Sequence, residues 1–260
     1  MPRFPFEEWL PETLRLTAFP SPDVNLKPEE WWGAATGSEP EEVSIAKRGT
    51  SSVIGPYGGG KLILRCGLDR IDWLFAPTDS VIERFVLLGK SNSIGPIDEV
   101  MIAFTAAVER WLRLSDSPEI NRMGFGPILG RPVNDQKQAY RDLMEYIPVD
   151  VPLSSSDLLF QINPPPIKSS YVPGLEFNRL SKWAVVQVMV IAAPSSIEVG
   201  VPLMQATTPG PSIRLELDIN TVPTFAGPIP RETRFAVFQE LVDHAKSIAL
   251  NGAIPDASFV

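Results

Sequence analysis

Prolines set the outer limits on what this chain can build. There are 27 of them in 260 residues, about twice the usual ~5% share. They gather in runs such as Pro164-Pro165-Pro166, Pro209-Gly210-Pro211 and Pro228-Ile229-Pro230. Proline fixes φ and removes a backbone donor, so it punctuates elements and stiffens the loops between them. The chain is therefore expected to hold periodic elements joined by rigid, extended connections. The same runs would also suit a partner's aromatic groove as polyproline ligands.

Between the prolines the apolar pattern changes period. Leu62, Leu64, Cys66 and Leu68 alternate, and so do Ile71, Trp73 and Phe75 after Asp69-Arg70, which predicts a hairpin. Over Pro96–Leu114 the apolar residues Ile97, Val100, Met101, Phe104, Val108, Trp111 and Leu112 form one helical stripe, with Pro96 suited to its first position. Residues 119–130 read as one strand. A second helix is predicted over 134–147, with Asn134 or Asp135 as its cap and Pro148 as its stop. Strands follow at 157–163, 183–192 and 212–220. The last has Ile213, Leu215, Leu217 and Ile219 on one face and Arg214, Glu216 and Asp218 on the other. A third helix over 231–250 closes the chain, with Phe235, Phe238, Val242, Ala245 and Ala249 inward. Strands in groups, broken by single helices, predict an α+β fold: a mostly antiparallel sheet with three main helices packed on one face and long Pro-rich loops. Two ββαβ-like halves fit this order, although no internal sequence repeat supports a duplication.

Residues 1–50 show no sustained periodicity. They hold Trp9, Trp31 and Trp32, a helix-start pattern at Pro28-Glu29-Glu30 and an acidic patch at Glu39-Pro40-Glu41-Glu42. Large aromatics are rarely left in water. This segment is expected to be an aromatic, Pro-rich arm lying on a single α+β domain of residues 51–260, or on another protein. In the second case Trp9, Trp31 and Trp32 are the partner-binding candidates.

Composition narrows the partners. A 44% hydrophobic share supplies a sizeable core, and a formal charge of −8 opposes phosphate, so nucleic acid is unfavoured. No window reaches the ~18 apolar residues of a membrane span. The first residues carry prolines and acids where a signal peptide needs an apolar run. A lone cysteine leaves no intrachain disulfide, and the cytoplasm is the expected location.

The chemistry is restricted too. One histidine, His244, and one cysteine, Cys66, serve the whole chain. That inventory cannot build a His-rich zinc site or a Cys-Cys redox pair, and no metal or cofactor is expected. Gly55-Pro56-Tyr57-Gly58-Gly59-Gly60-Lys61 matches the phosphate-loop pattern G-x-x-x-x-G-K. Leu62 follows where a Ser or Thr should, however, and the segment opens a period-2 strand rather than a helix. Gly55, Gly60 and Lys61 therefore read as a glycine turn between strands. Glu240 precedes His244 by one helical turn, which makes the two a weak candidate for a general-base pair; a histidine bordering the core is the plainer reading. Cys66 sits on the inward-facing set, as a structural thiol. Ser154-Ser155-Ser156 and Ser195-Ser196 read as polar loops, with no nucleophile elbow. Glu216 and Asp218 share a face with Arg214, where a magnesium site is conceivable but a solvated, charge-mixed face is expected.

The run Arg122-Met123-Gly124-Phe125, the helix ending near Pro148 and the strand Leu158-Leu159-Phe160 form a pattern, with Leu215-Glu216-Leu217-Asp218-Ile219 and Leu241-Val242-Asp243-His244 after them. This pattern resembles a sporadically distributed prokaryotic family of uncharacterised proteins of similar length, over residues 60–260. The family strand commonly continues with Arg-Tyr and Asn-Arg, where this chain has Gly126-Pro127 and Leu129-Gly130. The resemblance implies a single-module protein and no activity. Taken together, these features predict a non-catalytic protein-interaction or accessory subunit of a bacterial multicomponent system. The alternatives are a carboxylate- or His-dependent hydrolase-like enzyme, and a binder of an apolar small molecule held between sheet and helices.

Overall fold

A computed structural model describes residues 4–22, 24–45, 50–67, 69–88, 92–187 and 210–254. Leu68, residues 188–192 of the expected strand and the Ser195-Ser196 pair lie outside the described residues. Strands run at β1 (Leu10–Pro20), β2 (Glu42–Ile45), β3 (Ser51–Tyr57), β4 (Gly60–Cys66), β5 (Ile71–Ala76), β6 (Ile120–Phe125), β7 (Ile128–Pro132), β8 (Leu159–Ile162), β9 (Ile167–Lys168), β10 (Glu176–Val186) and β11 (Ser212–Thr221). Helices run at α1 (Pro28–Thr36), α2 (Asp79–Leu88), α3 (Ile97–Leu112), α4 (Gln136–Met144) and α5 (Arg234–Asn251). The strands form one sheet in the order β2-β3-β4-β5-β1-β6-β11-β10-β8; β7 lies between β1 and β11, and β9 pairs with β10. Every pairing is antiparallel, so the fold is α+β.

The topology repeats although the sequence does not. In the first half β1 leads through α1 into the meander β3-β4-β5 and then α3. In the second, β6 and β7 lead through α4 into β8, β10 and β11 and then α5. The spatial order β3-β4-β5-β1 is answered by β8-β10-β11-β6, so the two first strands meet at the centre of the sheet. Packing and pairing need only apolar alternation at equivalent places, so two halves can share a path without sharing residues.

This path corrects the expected arm. β1 lies at the centre of the sheet, paired with β5 on one side and with β6 and β7 on the other. Its Leu14, Leu16 and Ala18 point into the core and Arg15 and Phe19 point away, but Pro11 and Pro20 argue against a central strand. The structure accommodates both prolines at register shifts, between Pro11 and Thr13 and between Phe19 and Pro20. The expected strand over 119–130 is also divided. Pro127 has no N–H to give the ladder, so β6 stops before Gly126-Pro127 and β7 resumes after it.

The core lies on one face, under α1, α3, α4 and α5. Phe104 of α3 and Phe238 of α5 meet each other and Phe125 of β6, with ring centroids 5.8–6.4 Å apart. Trp31 packs against Trp111, and Trp32 stacks on Trp73 at 6.4 Å. Trp9 packs between Tyr146 and Trp183 and donates its indole N–H to the Ala249 carbonyl at 3.1 Å. Each of these buried rings contributes about 1.5–3 kcal/mol. Trp9, Trp31 and Trp32 are all 0% exposed, which removes them as partner-binding residues: their faces are consumed by the core. Arginines hold the loop ends. Arg234 donates to the carbonyls of Ile229 and Pro118, Arg231 to those of Leu114 and Ser117, and Arg110 to that of Ala35. No helix among the described residues is long and apolar enough to cross a membrane.

Candidate functional site

The glycine-rich segment is the β3–β4 hairpin. Gly58 and Gly59 turn with φ of +49° and +81°, a region that favours glycine. A Cβ on Gly60 would stand 2.6 Å from the Phe75 ring, and one on Gly55 would stand 2.8 Å from the Trp32 ring. Close packing and the turn account for these glycines. Lys61 Nζ lies 2.5 Å from Asp79 Oδ1, at the start of α2.

Glu240 has a structural task. One carboxylate oxygen accepts from Ser169 Oγ at 2.6 Å and the other from the Ser170 N–H at 2.6 Å. Ser169 Oγ in turn accepts from the amides of Tyr171 and Val172, so Glu240 ties the 169–172 turn to α5. His244 is half-buried on the helix side, its ring 5.8 Å from that of the buried Phe177. Cys66 is buried on the same side, and desolvation pushes its thiol up to about 12, far from a reactive thiolate. Among the described residues no three His, Cys, Asp or Glu gather as a metal site would require.

What remains is the face of the sheet that none of the described helices covers. The registers align its side chains in rows across the strands. One row runs Arg65, Asp72, Thr17, Gly124, Asn220 and Asn178. Another carries Ile63, Leu74 and Arg15, then Asp218 opposite Leu180. In a third, Thr13, Ile128, Glu216, Lys182 and Gln161 stand in line. The strict alternation of an antiparallel strand sends these residues outward because their neighbours fill the core.

The face is hollow. Five strand spacings separate β5 from β8 in the sheet order, about 24 Å if the sheet were flat. Yet Leu74 of β5 and Gln161 of β8 border one cavity of 280 Å³, so the sheet curls around this face. A second hollow of 120 Å³ adjoins it, sharing Arg15, Gly126 and Asp218, and is bordered by Arg70 and Arg122. Together they form a trough whose floor is low because Gly124 and Gly126 have no side chains.

Charges along the trough are mostly matched. Glu216 pairs with Lys182 at 3.0 Å and with Arg214 at 3.4 Å, and Arg214 reaches Glu12 at 3.5 Å. Burial raises the Glu12 carboxyl above its ordinary range, against the pull of Arg214. Arg70 holds Asp72 through Nε at 2.6 Å and Nη2 at 2.9 Å, and Thr17 donates to the same carboxylate. Arg122 gives its Nε–H to the Thr221 carbonyl and lies 5.1 Å from the Phe19 ring centroid. Arg15 differs. Half-buried at the centre of the trough, its guanidinium makes no hydrogen bond or ion pair with any described residue. Sequence reading named Glu216 and Asp218 on this face but missed Arg15. Its position in a Leu-Arg-Leu-Thr-Ala alternation was the signal, hidden by the prolines on either side.

No family model matches the chain, and no curated protein matches it.

Proposed function

We propose that this protein is a binding module that holds an extended segment of a partner protein in the trough, on the face of its sheet opposite the described helices. Arg15 carries the reading: a half-buried guanidinium with five N–H donors and no partner among the described residues, set over a glycine floor. The sheet's other face supports it by contrast. The space between sheet and helices is filled by rings such as Trp73, Phe104 and Trp111, which disfavours an apolar ligand there. Glu240 and its turn likewise disfavour the Glu240–His244 hydrolase reading. The interaction surface thus moves from the tryptophans to the sheet. Matched charges on both sides of Arg15 favour a mixed polar protein surface over the polyanionic backbone of nucleic acid.

The test is site-directed photo-crosslinking in cells that naturally express the protein. A crosslinking residue at Gln161 or Leu180, inside the trough, is expected to capture one protein in stoichiometric yield. The same residue at Ile102, exposed on α3, is expected to capture none. Capture at Ile102 alone would overturn the proposal.

A further inference from the structure

Resting on that reading, we infer that Arg15 and Arg122 form the seat of a single carboxylate: an Asp or Glu side chain of the partner segment, docked at the centre of the trough. The smaller hollow is where the two guanidiniums face the same space. Arg122 is already oriented. Its Nε–H is held by the Thr221 carbonyl at 3.3 Å and its Cζ lies over the Phe19 ring at 5.1 Å, while its Nη groups make no hydrogen bond with a described residue. Arg15 lies where Gly126 has no side chain: a Cβ there would press on its Nη2 at 3.3 Å and touch its Nε at 3.6 Å. One held and one unpaired planar donor, on a floor without side chains, suit a planar two-oxygen acceptor.

The charge balance selects the class of anion. Arg70 is neutralised by Asp72 through two contacts. Asp218, already accepting from Asn220 at 3.0 Å, borders the same hollow. Three arginines against these two aspartates leave one uncompensated positive charge. One carboxylate cancels it. A phosphate ester, carrying about −1.5 to −2 at neutral pH, would leave the hollow negative beside Asp218. The overall charge of −8 points the same way: the pairing is a local match within an acidic protein, not the edge of a basic surface.

The experiment uses the full chain with ¹⁵N-labelled arginine, reading the Nε–Hε resonances, with Arg15 assigned by its disappearance in Arg15→Gln. The probes are three capped tripeptides, Ala-Glu-Ala, Ala-Gln-Ala and Ala-phosphoSer-Ala. The glutamate peptide is expected to shift the Arg15 and Arg122 resonances saturably, and the glutamine peptide to leave them in place. No shift with glutamate, or a phosphoserine response at about tenfold lower concentration, overturns the carboxylate assignment. The crosslinking yield at Leu180 separates this inference from the one beneath it. Arg15→Gln is expected to lower that yield about tenfold, the loss of one charge-assisted contact. If crosslinking persists at full yield in Arg15→Gln, the trough still binds and the anchor is wrong. If Leu180 captures nothing in the unaltered protein, the binding-face proposal itself falls.

Discussion

The guanidinium of Arg15 rests directly over Gly126, its Nη2 only 3.3 Å from where a Cβ on that glycine would stand. An arginine on one central strand is thus positioned by the absence of a side chain after the next, at the point where Pro127 breaks that strand. A Gly126→Ala substitution forces the arginine to give by a few tenths of an ångström, and the fold need not change. Its expected cost is below about 1 kcal/mol in urea unfolding, together with a displaced Arg15 Nε–Hε resonance. An unmoved resonance would show that the glycine does not set the arginine's position.

Trp32 is 0% exposed and stacked on Trp73, so Trp32→Ala removes a ring that the core cannot replace. The expected loss is about 3–5 kcal/mol, read as a lowered urea midpoint. A tryptophan reserved for a partner would give an unchanged midpoint and lost capture instead.

The β3–β4 hairpin distinguishes packing from phosphate binding. Gly60→Ala places a methyl 2.6 Å from the Phe75 ring and 2.8 Å from both the Ala76 carbonyl oxygen and Ile94, so a loss of about 1–3 kcal/mol is expected. Lys61→Met removes only a pair whose Asp79 side chain is 75% exposed, and should cost no more than about 1 kcal/mol. Equal losses in thermal unfolding would contradict this account.

Cys66 makes stability fall at alkaline pH. Burial raises its folded-state pKa from 9.0 to about 12, so the native state keeps its proton where the unfolded chain releases it. The unfolded state therefore binds fewer protons between about pH 9 and 12 and is favoured as pH rises, by up to about 1.4 kcal/mol per pH unit. Below pH 9 this contribution is fully present. Cys66→Ala should flatten that slope after correction for tyrosine and lysine titration, measured as urea midpoints from pH 8 to 11. An identical slope in the variant would refute it.

Glu240→Gln should loosen the 169–172 turn without disturbing α5. The Ser170 amide loses its charged acceptor at 2.6 Å, and its hydrogen exchange is expected to quicken about tenfold or more. Amides in the middle of α5 should exchange at unchanged rates.

Much of this fold is legible in the sequence. The stripe from Ile97 to Leu112, the alternation from Ile213 to Ile219 and the Asp135 cap, which accepts from the Gln138 amide at 2.8 Å, are local signals, and local hydrogen bonding and periodicity determine them. Short-range steric rules place a glycine turn between two strands, and the turn is Gly58-Gly59, while Gly55, Gly60 and Lys61 belong to the strands themselves. Such rules were not enough for β1, whose terminal prolines imitate a loop, or for β2 and α2, whose short patterns stand below the threshold of periodicity.

Sequence by itself therefore determined the class of the fold, the faces of its clearest elements and the scarcity of histidine and cysteine. Only the tertiary structure decided that three tryptophans belong to the core, that the first strand is central and that Arg15, Arg122 and Asp218 share one hollow. These residues lie up to about 200 positions apart, and the sequence separation of a pairing leaves no mark in local composition. They are brought together by strand register and sheet curvature, which are properties of the whole sheet rather than of any segment within it.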